Sequence, residues 1–322
     1  MRLPPMAFHA TELHRSTMAQ EMARIGFTWK PSAKDIVLAC GLKHCVLQLE
    51  GGGVHTMGLN GHGQLGLGHV QCQERPQLVH VTLDVVAAAC GMHHTVLLLQ
   101  DGSIRSFGRN DYGQLGLGGT SDIWRPHPVP LSCAVTAVAC GAHHTVLLMG
   151  DGTVCAFGCN AFGQLGFGHN AISDSEVPKP IFGARHIVSI ACGSDHVLLL
   201  QKNGAVLSLG HNAYGQLGLS DRTDRFSITN TPNLGSNIAQ IACGAFHSVA
   251  RLHDGSVRAC GVLGPDTENH PLVLCGMEAG VTEIACGAHS TLALLDNGST
   301  VTSSPRSANQ SLFSMLWAQI TG

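Results

Sequence analysis

The sequence predicts an all-β fold: a β-propeller of about six, or seven, four-stranded blades with a short N-terminal helix or leader. Three observations predict it. The tripeptide Ala-Cys-Gly recurs at 39–41, 89–91, 139–141, 191–193, 242–244 and 285–287, so successive Cys positions lie 50, 50, 52, 51 and 43 residues apart. A nonapeptide, Gly-x-Asn-x-x-Gly-Gln-Leu-Gly, recurs at 58–66, 108–116, 158–166 and 210–218, each copy starting 18 residues after its Cys. Between these strings run only short apolar or alternating segments closed by turn residues. Units of this length that bury little alone must stack on their neighbours, and several short antiparallel strands per unit describe propeller blades. Aligning 88–118 on 138–168 gives 19 identities in 31 positions, so the chain is one array rather than two unrelated domains.

Within a unit the signals are those of β-structure. Val85 to Cys90 is a short apolar run ending at Gly91, and His94 to Leu99 is a second, bounded by Asp101-Gly102. That dipeptide predicts a two-residue hairpin turn, as do Asp151-Gly152, Asn203-Gly204, Asp254-Gly255 and Asn297-Gly298. The third strand, Ser103 to Phe107, alternates polar and apolar residues. Pro76, Pro126, Pro178 and Pro232 then lead into an outer strand, since an edge strand tolerates residues without an N–H. Units start near 36, 86, 136, 188, 239 and 282, which divides the chain into a leader (1–35), the propeller (36–302) and a tail or closing strand (303–322). Four units are complete; the fifth has lost the nonapeptide and the sixth fades after Asn297-Gly298. Residues 11–25 place Leu13, Met18, Met22 and Ile25 near one helical face, which predicts a capping helix. If no segment closes the ring, exposed strand edges invite self-association.

Composition narrows the function classes. Only 12% of residues are charged, the net charge is −3, and 18 Lys plus Arg are spread along the chain, which argues against a nucleic-acid surface. No apolar run reaches the length of a membrane span, and the N-terminus lacks a secretory pattern. The 13 Cys include no C-x-x-C pair and sit mostly in apolar runs, as reduced, buried small hydrophobes would. An intracellular protein, cytoplasmic or nuclear, is expected. Arg2, Arg15, Arg24 and Lys30, set against Glu12 and Glu21, make a mitochondrial presequence the weaker alternative.

The repeated Cys and His are the first candidates for chemistry. Cys90, Gly91 and His94 recur as Cys140, Gly141 and His144, as Cys192, Gly193 and His196, and as Cys243, Gly244 and His247, with Cys40/His44 before and Cys286/His289 after them. Each pair resembles half of a zinc site, but each belongs to a different blade, whereas zinc needs four ligands around one point. A device needed once per blade is structural, so these His are read as hydrogen-bonding residues within each blade. The Gly-rich string opens no helix and so makes no phosphate cradle. It is read as a tight turn whose Asn and Gln bond neighbouring backbone groups. No hydrolase elbow or zinc-protease helix occurs. No catalytic residue, metal or cofactor is expected.

What varies between units is more informative. The variable positions of the nonapeptide hold Arg109, Asp111 and Tyr112 in the second unit, Phe162 in the third, and His211 and Tyr214 in the fourth. If these turns line one face, they form an aromatic arc of the residue types that dominate interface hot spots. Trp124, Arg125, Arg222 and Arg225 in the long connections extend this candidate partner-binding set.

The in-phase Ala-Cys-Gly-x-x-His-Thr-Val-Leu-Leu, Asp-Gly and Phe-Gly-x-Asn-x-x-Gly-Gln-Leu-Gly segments resemble the repeat of the regulator of chromosome condensation family over about 36–290. The resemblance implies a propeller of four-stranded blades, usually seven. It also implies two kinds of activity, since the founding member is an exchange factor for the small GTPase Ran and docks on nucleosomes through a basic tail and a hairpin wedge. This chain shows no basic tail, and spacings of 50 to 52 leave no room for a sizeable wedge among the complete units. The expected function is therefore non-enzymatic: a scaffold or adaptor that binds a protein partner through its loop face. Guanine-nucleotide exchange on a Ran-type GTPase is the alternative. No direct nucleic-acid or membrane partner is expected.

Overall fold

The computed structural model describes residues 36–49, 53–168, 173–262 and 280–303. The helix expected over 11–25, the leader and the tail lie outside the described residues. Six antiparallel sheets follow one another along the chain. Blade one comprises β1 (Ile36–Cys40), β2 (His44–Gln48), β3 (Val54–Gly58) and β4 (Gln73–Val79); blade two comprises β5 (Val85–Cys90), β6 (His94–Leu99), β7 (Ile104–Gly108) and β8 (Ile123–Pro128). Blade three holds β9 (Val135–Cys140), β10 (His144–Met149), β11 (Val154–Gly158) and β12 (Ser175–Pro180). Blade four holds β13 (Ile187–Cys192), β14 (His196–Gln201), β15 (Val206–Gly210) and β16 (Arg225–Asn230). Blade five shows β17 (Ile238–Cys243), β18 (His247–Leu252) and β19 (Val257–Gly261), and blade six β20 (Val281–Gly287), β21 (Ser290–Leu295) and β22 (Thr300–Ser303). The protein is thus a six-bladed propeller in which each blade runs from its inner to its outer strand in sequence order.

The second strand of each blade explains why an alternating pattern is missing there. In β6 every residue is buried. Val96 and Leu98 pack with Leu147, Met149 and Phe157 of blade three. Leu97 and Leu99 point the other way, to Val46 and Val54 of blade one. A strand sandwiched between two neighbours needs apolar residues on both faces, and each fully buried Val or Leu contributes about 1.5–3 kcal/mol relative to exposure. The cores therefore lie between blades, as the mixed clusters of blades three with four and five with six also show. Inner strands β1, β5, β9, β13, β17 and β20 pack in succession, but among the described residues no comparable packing joins β20 back to β1.

Two local expectations need correction. The Asp101-Gly102 connection is a three-residue loop: Leu99 N–H donates to the Ser103 carbonyl at 2.9 Å and Gly102 N–H to the Leu99 carbonyl at 2.9 Å. The two-residue turn would need positive φ at both central residues; Gly102 has φ 81°, while Asp101 is not among the positive-φ residues. Asp101 instead caps the loop, its Oδ1 accepting from Ser103 N–H at 2.9 Å. The second correction concerns Pro232, which begins a short 3-10 turn (Pro232–Leu234) after β16, whereas Pro76, Pro126 and Pro178 lie inside outer strands.

Candidate functional site

Successive strands of a blade are antiparallel, so the turns after the inner strands and the long loops after the third strands share one face, opposite the hairpins that join the second and third strands. Arg109 N–H donating to the His93 carbonyl at 2.9 Å joins the two within blade two, and Cys159 to His143 and His211 to Asp195 repeat the link. The inner turns are also tied to each other around the axis: Met92 N–H donates to Ala142, Ala142 to Ser194, Ser194 to Ala245, and Ala245 to Ala288, at 2.8 to 3.2 Å. These bonds join the turns of five successive blades into one platform.

Beneath it runs a belt made by the repeated histidines. His44 Nε2 bonds Thr95 Oγ1 at 3.0 Å, His94 bonds Thr145 at 3.1 Å, His196 bonds Ser248 Oγ at 2.9 Å and His247 bonds Thr291 at 2.9 Å. Every one of these bonds crosses to the next blade, which corrects the expectation that the His act within a blade. Three of the hydroxyls donate onward, Thr95 to the Gln64 carbonyl, Thr145 to Gln114 and Ser248 to Gln216. A hydroxyl whose proton is so used can only accept from the ring, so Nε2 carries the hydrogen, and burial disfavours a second proton on Nδ1. Burial agrees, holding His44, His144 and His196 down to about 3 and His247 to about 4. The glycine after each Cys is needed because the ring lies against it. A Cβ on Gly91 would stand 2.1 Å from His94 Cε1 and 2.6 Å from the Gly141 carbonyl oxygen; Gly141, Gly193 and Gly244 repeat the geometry. Burial favours the protonated form of the neighbouring thiols, pushing Cys140 up to about 12 and Cys90, Cys192 and Cys243 well above their usual range.

The nonapeptide forms the long-loop turn. Asn110 Oδ1 accepts from Leu115 N–H at 3.0 Å, its Nδ2 donates to the Gly119 carbonyl at 2.7 Å, and Gln114 Oε1 accepts from Tyr112 N–H at 2.9 Å. Leu115 is fully buried, and Gly116, at φ 71°, lies against Phe157 of the next blade. The turn is thereby wedged between blades, leaving residues 109, 111 and 112 on the outside. A further residue, Asp122, accepts from Asn110 N–H and from His62 Nδ1 of blade one, both at 2.9 Å.

On the platform the aromatic side chains form a row. Phe162 meets His211 at 4.4 Å between ring centroids, His211 meets Tyr214 at 5.7 Å, Tyr214 meets Phe246 at 5.2 Å and Phe246 meets His289 at 6.1 Å. Tyr112 meets His143 at 5.1 Å and His62 meets His93 at 5.3 Å, both with tilted ring planes. Arg109 holds Asp111 through two bonds, which keeps that carboxyl below its usual range. Burial and nearby His62 and Arg109 push His93 down to about 4, and burial raises Asp195. Arg225 pairs with Asp221 at 2.6 Å, beside exposed Arg222.

The structure brings Phe162, His211 and Tyr214 into contact and sets Arg109, Asp111 and Tyr112 on the adjoining loop. Trp124 and Arg125 lie at the head of β8, covering Gly63 and Gly68 of blade one, where Arg125 also lines an open groove of about 330 Å³ with His69, Gln77 and Leu78. Sequence reasoning missed His62, His93, His143, Phe246 and His289 as members of the row. Four of them are the third residue after the repeated Cys, the column Lys43, His93, His143, Asp195, Phe246 and His289, which the period makes readable. Among the described residues no group of three or more His, Cys, Asp or Glu side chains is gathered to hold a metal ion, and no helix is long and apolar enough to cross a membrane.

The regulator of chromosome condensation (RCC1) repeat matches at 51–98, 101–148, 151–200 and 203–251, more than half of the chain. The chain belongs to the RCC1 repeat family. It is similar to human Protein RCC2, 38% identical over 96 residues, which are 29% of this chain and 18% of that protein. It is also similar to the guanine nucleotide exchange factor SRM1 of Saccharomyces cerevisiae, 35% identical over 91 residues, 27% of this chain and 19% of that one. Both matches span less than a fifth of the relative. The crystal structure of human WBSCR16 superposes with a TM-score of 0.74 at 24% identity, covering 86% of this chain and 78% of that one, which shows the shared propeller fold.

Proposed function

We propose that this RCC1-repeat propeller is a non-enzymatic intracellular adaptor that docks a protein partner on the face carrying the aromatic row. The observation that supports this reading is the unbroken contact Phe162–His211–Tyr214–Phe246–His289 across four blades. Aromatic side chains held on a rigid support bind at low entropic cost and dominate interface energetics. Paired charges at its margin, Arg109 with Asp111 and Arg225 with Asp221, supply a polar rim. The test is affinity purification from the source cell with the wild-type chain and with Tyr112→Ala/Tyr214→Ala. Partners retained by the first and lost by the second support the reading, and an identical set on both sinks it.

Similarity to a guanine nucleotide exchange factor favours a second reading, in which the partner is a small GTPase of the Ran type and this face loosens its nucleotide. Stopped-flow release of labelled GDP from such a GTPase separates the two. Catalytic acceleration by substoichiometric propeller supports exchange, and stoichiometric binding without acceleration supports the adaptor.

A further inference from the structure

The first blade departs from the others at one pair of facing positions. In blades two, three, five and six the Cys that ends the inner strand stands opposite a hydroxyl: Cys90 opposite Thr95, Cys140 opposite Thr145, Cys243 opposite Ser248 and Cys286 opposite Thr291. In blade one the register places Cys40 opposite Cys45. Cys40 Sγ donates to Cys45 Sγ at 3.1 Å, against 3.9 Å for the sulfur–hydroxyl contacts of blades three, five and six.

The backbone there already suits a cross-link. Gly41 N–H donates to the His44 carbonyl at 2.8 Å and closes the turn, so the next facing pair, Cys40 and Cys45, takes a non-hydrogen-bonded position. Cα atoms at such positions approach to about 4.5 Å, which is within the range spanned by disulfides. Exposure favours Cys40 as the entry point, with Cys45 buried behind it. Cys40 is exposed, while Cys90, Cys140, Cys192, Cys243 and Cys286 are not, because β1 lies at the edge that β20 does not cover.

We propose that Cys40 and Cys45 form a reversible disulfide, a modification site confined to the first blade, with a glutathione-type disulfide as oxidant. The Cys40 thiolate attacks one sulfur of oxidised glutathione, forming a mixed disulfide and releasing one glutathione thiolate. Cys45, as thiolate, then attacks the Cys40 sulfur and expels the second. The protein gives up two electrons and two protons, and one oxidised glutathione becomes two reduced glutathiones. The new bond fastens the Leu42-Lys43 turn, which lies on the candidate binding face beside His93.

The test uses the full chain. After incubation with excess oxidised glutathione, remaining thiols are alkylated under denaturing conditions and the protein is digested with trypsin. Lys43 lies between the two cysteines, so cleavage separates them unless a disulfide holds the peptides together. A linked pair that dithiothreitol separates is expected. It should persist in Cys72→Ser and fall at least tenfold in Cys45→Ser, which places in blade one the residue type that blade five carries at the same position. Three results overturn the proposal: both cysteines alkylated, Cys40 arrested as the glutathione adduct, or a linkage that survives in Cys45→Ser.

Discussion

His144 and Val197 mark a break in the belt of inter-blade hydrogen bonds. Among the described residues the Nε2 of His144 is buried without a partner, and the position that supplies the receiving hydroxyl in the neighbouring blades, opposite the inner-strand Cys, is held in blade four by Val197. Thr145, at the same position in blade three, accepts from His94 and donates to the Gln114 carbonyl. Val and Thr are close in shape, so Val197→Thr should give His144 an acceptor without repacking. A hydrogen bond of this kind contributes about 1 kcal/mol net. Urea unfolding should show a higher midpoint for Val197→Thr, and an unchanged or lowered midpoint would count against the belt as a stabilising device.

The converse substitution carries the opposite sign. Thr145→Val removes the acceptor for His94 Nε2 and the donor to the Gln114 carbonyl, leaving buried polar groups unsatisfied. That costs about 1–3 kcal/mol. The same urea experiment should show Thr145→Val destabilised, with the double variant Thr145→Val/Val197→Thr recovering part of the loss. Stability equal to wild type in Thr145→Val would contradict the bonding assigned to this pair.

Gly91 and Gly152 separate two reasons for glycine. At Gly91 a methyl group would collide with the His94 ring at 2.1 Å and with the Gly141 carbonyl oxygen at 2.6 Å, so both the belt and the next blade must move. At Gly152 nothing among the described residues lies within 4 Å, and only the φ of +84° resists a side chain. Gly91→Ala should cost about 3 kcal/mol and Gly152→Ala about 1–2 kcal/mol. Equilibrium unfolding that reverses this order would refute the close-approach argument.

These glycines also show how far the sequence could be read. The period, the strand positions and the turn role of the nonapeptide were visible because each is local to one unit. The belt was not, because His94 and Thr145 are 51 residues apart, so a bond between neighbours looks from the sequence like two properties of one unit. The site was half visible for a similar reason. Tyr112, Phe162 and Tyr214 stand out inside one string, but His143 and Phe246 come from the column after the repeated Cys, and only the shared end of the sheet brings the two columns together. Trp124 is legible as a surface aromatic in a long connection and is exposed, whereas its packing on Gly63 of the preceding blade is a contact between units that the string does not reveal.

The belt makes stability depend on pH in a defined direction. Burial holds His44, His144 and His196 at about 3 and His247 at about 4, and pushes His94 well below its ordinary value. In the unfolded chain the same groups titrate near 6.5. Below that pH the unfolded state binds protons that the folded state refuses, so stability falls as pH drops from about 6.5 towards the folded values, and these groups leave it flat above. Each such histidine contributes a slope of about 1.4 kcal/mol per pH unit. The carboxyls of Asp101, Asp151, Asp221 and Asp254 are lowered from 3.8 by local hydrogen bonds, so their effect belongs to a more acidic range. Urea midpoints should be lower at pH 5.0 than at pH 7.5, with His196→Gln reducing the acid slope by about one proton. A midpoint at pH 5.0 matching that at pH 7.5 would mean that the belt histidines are protonated in the folded propeller, and the neutral, Nε2-donating belt would have to be abandoned.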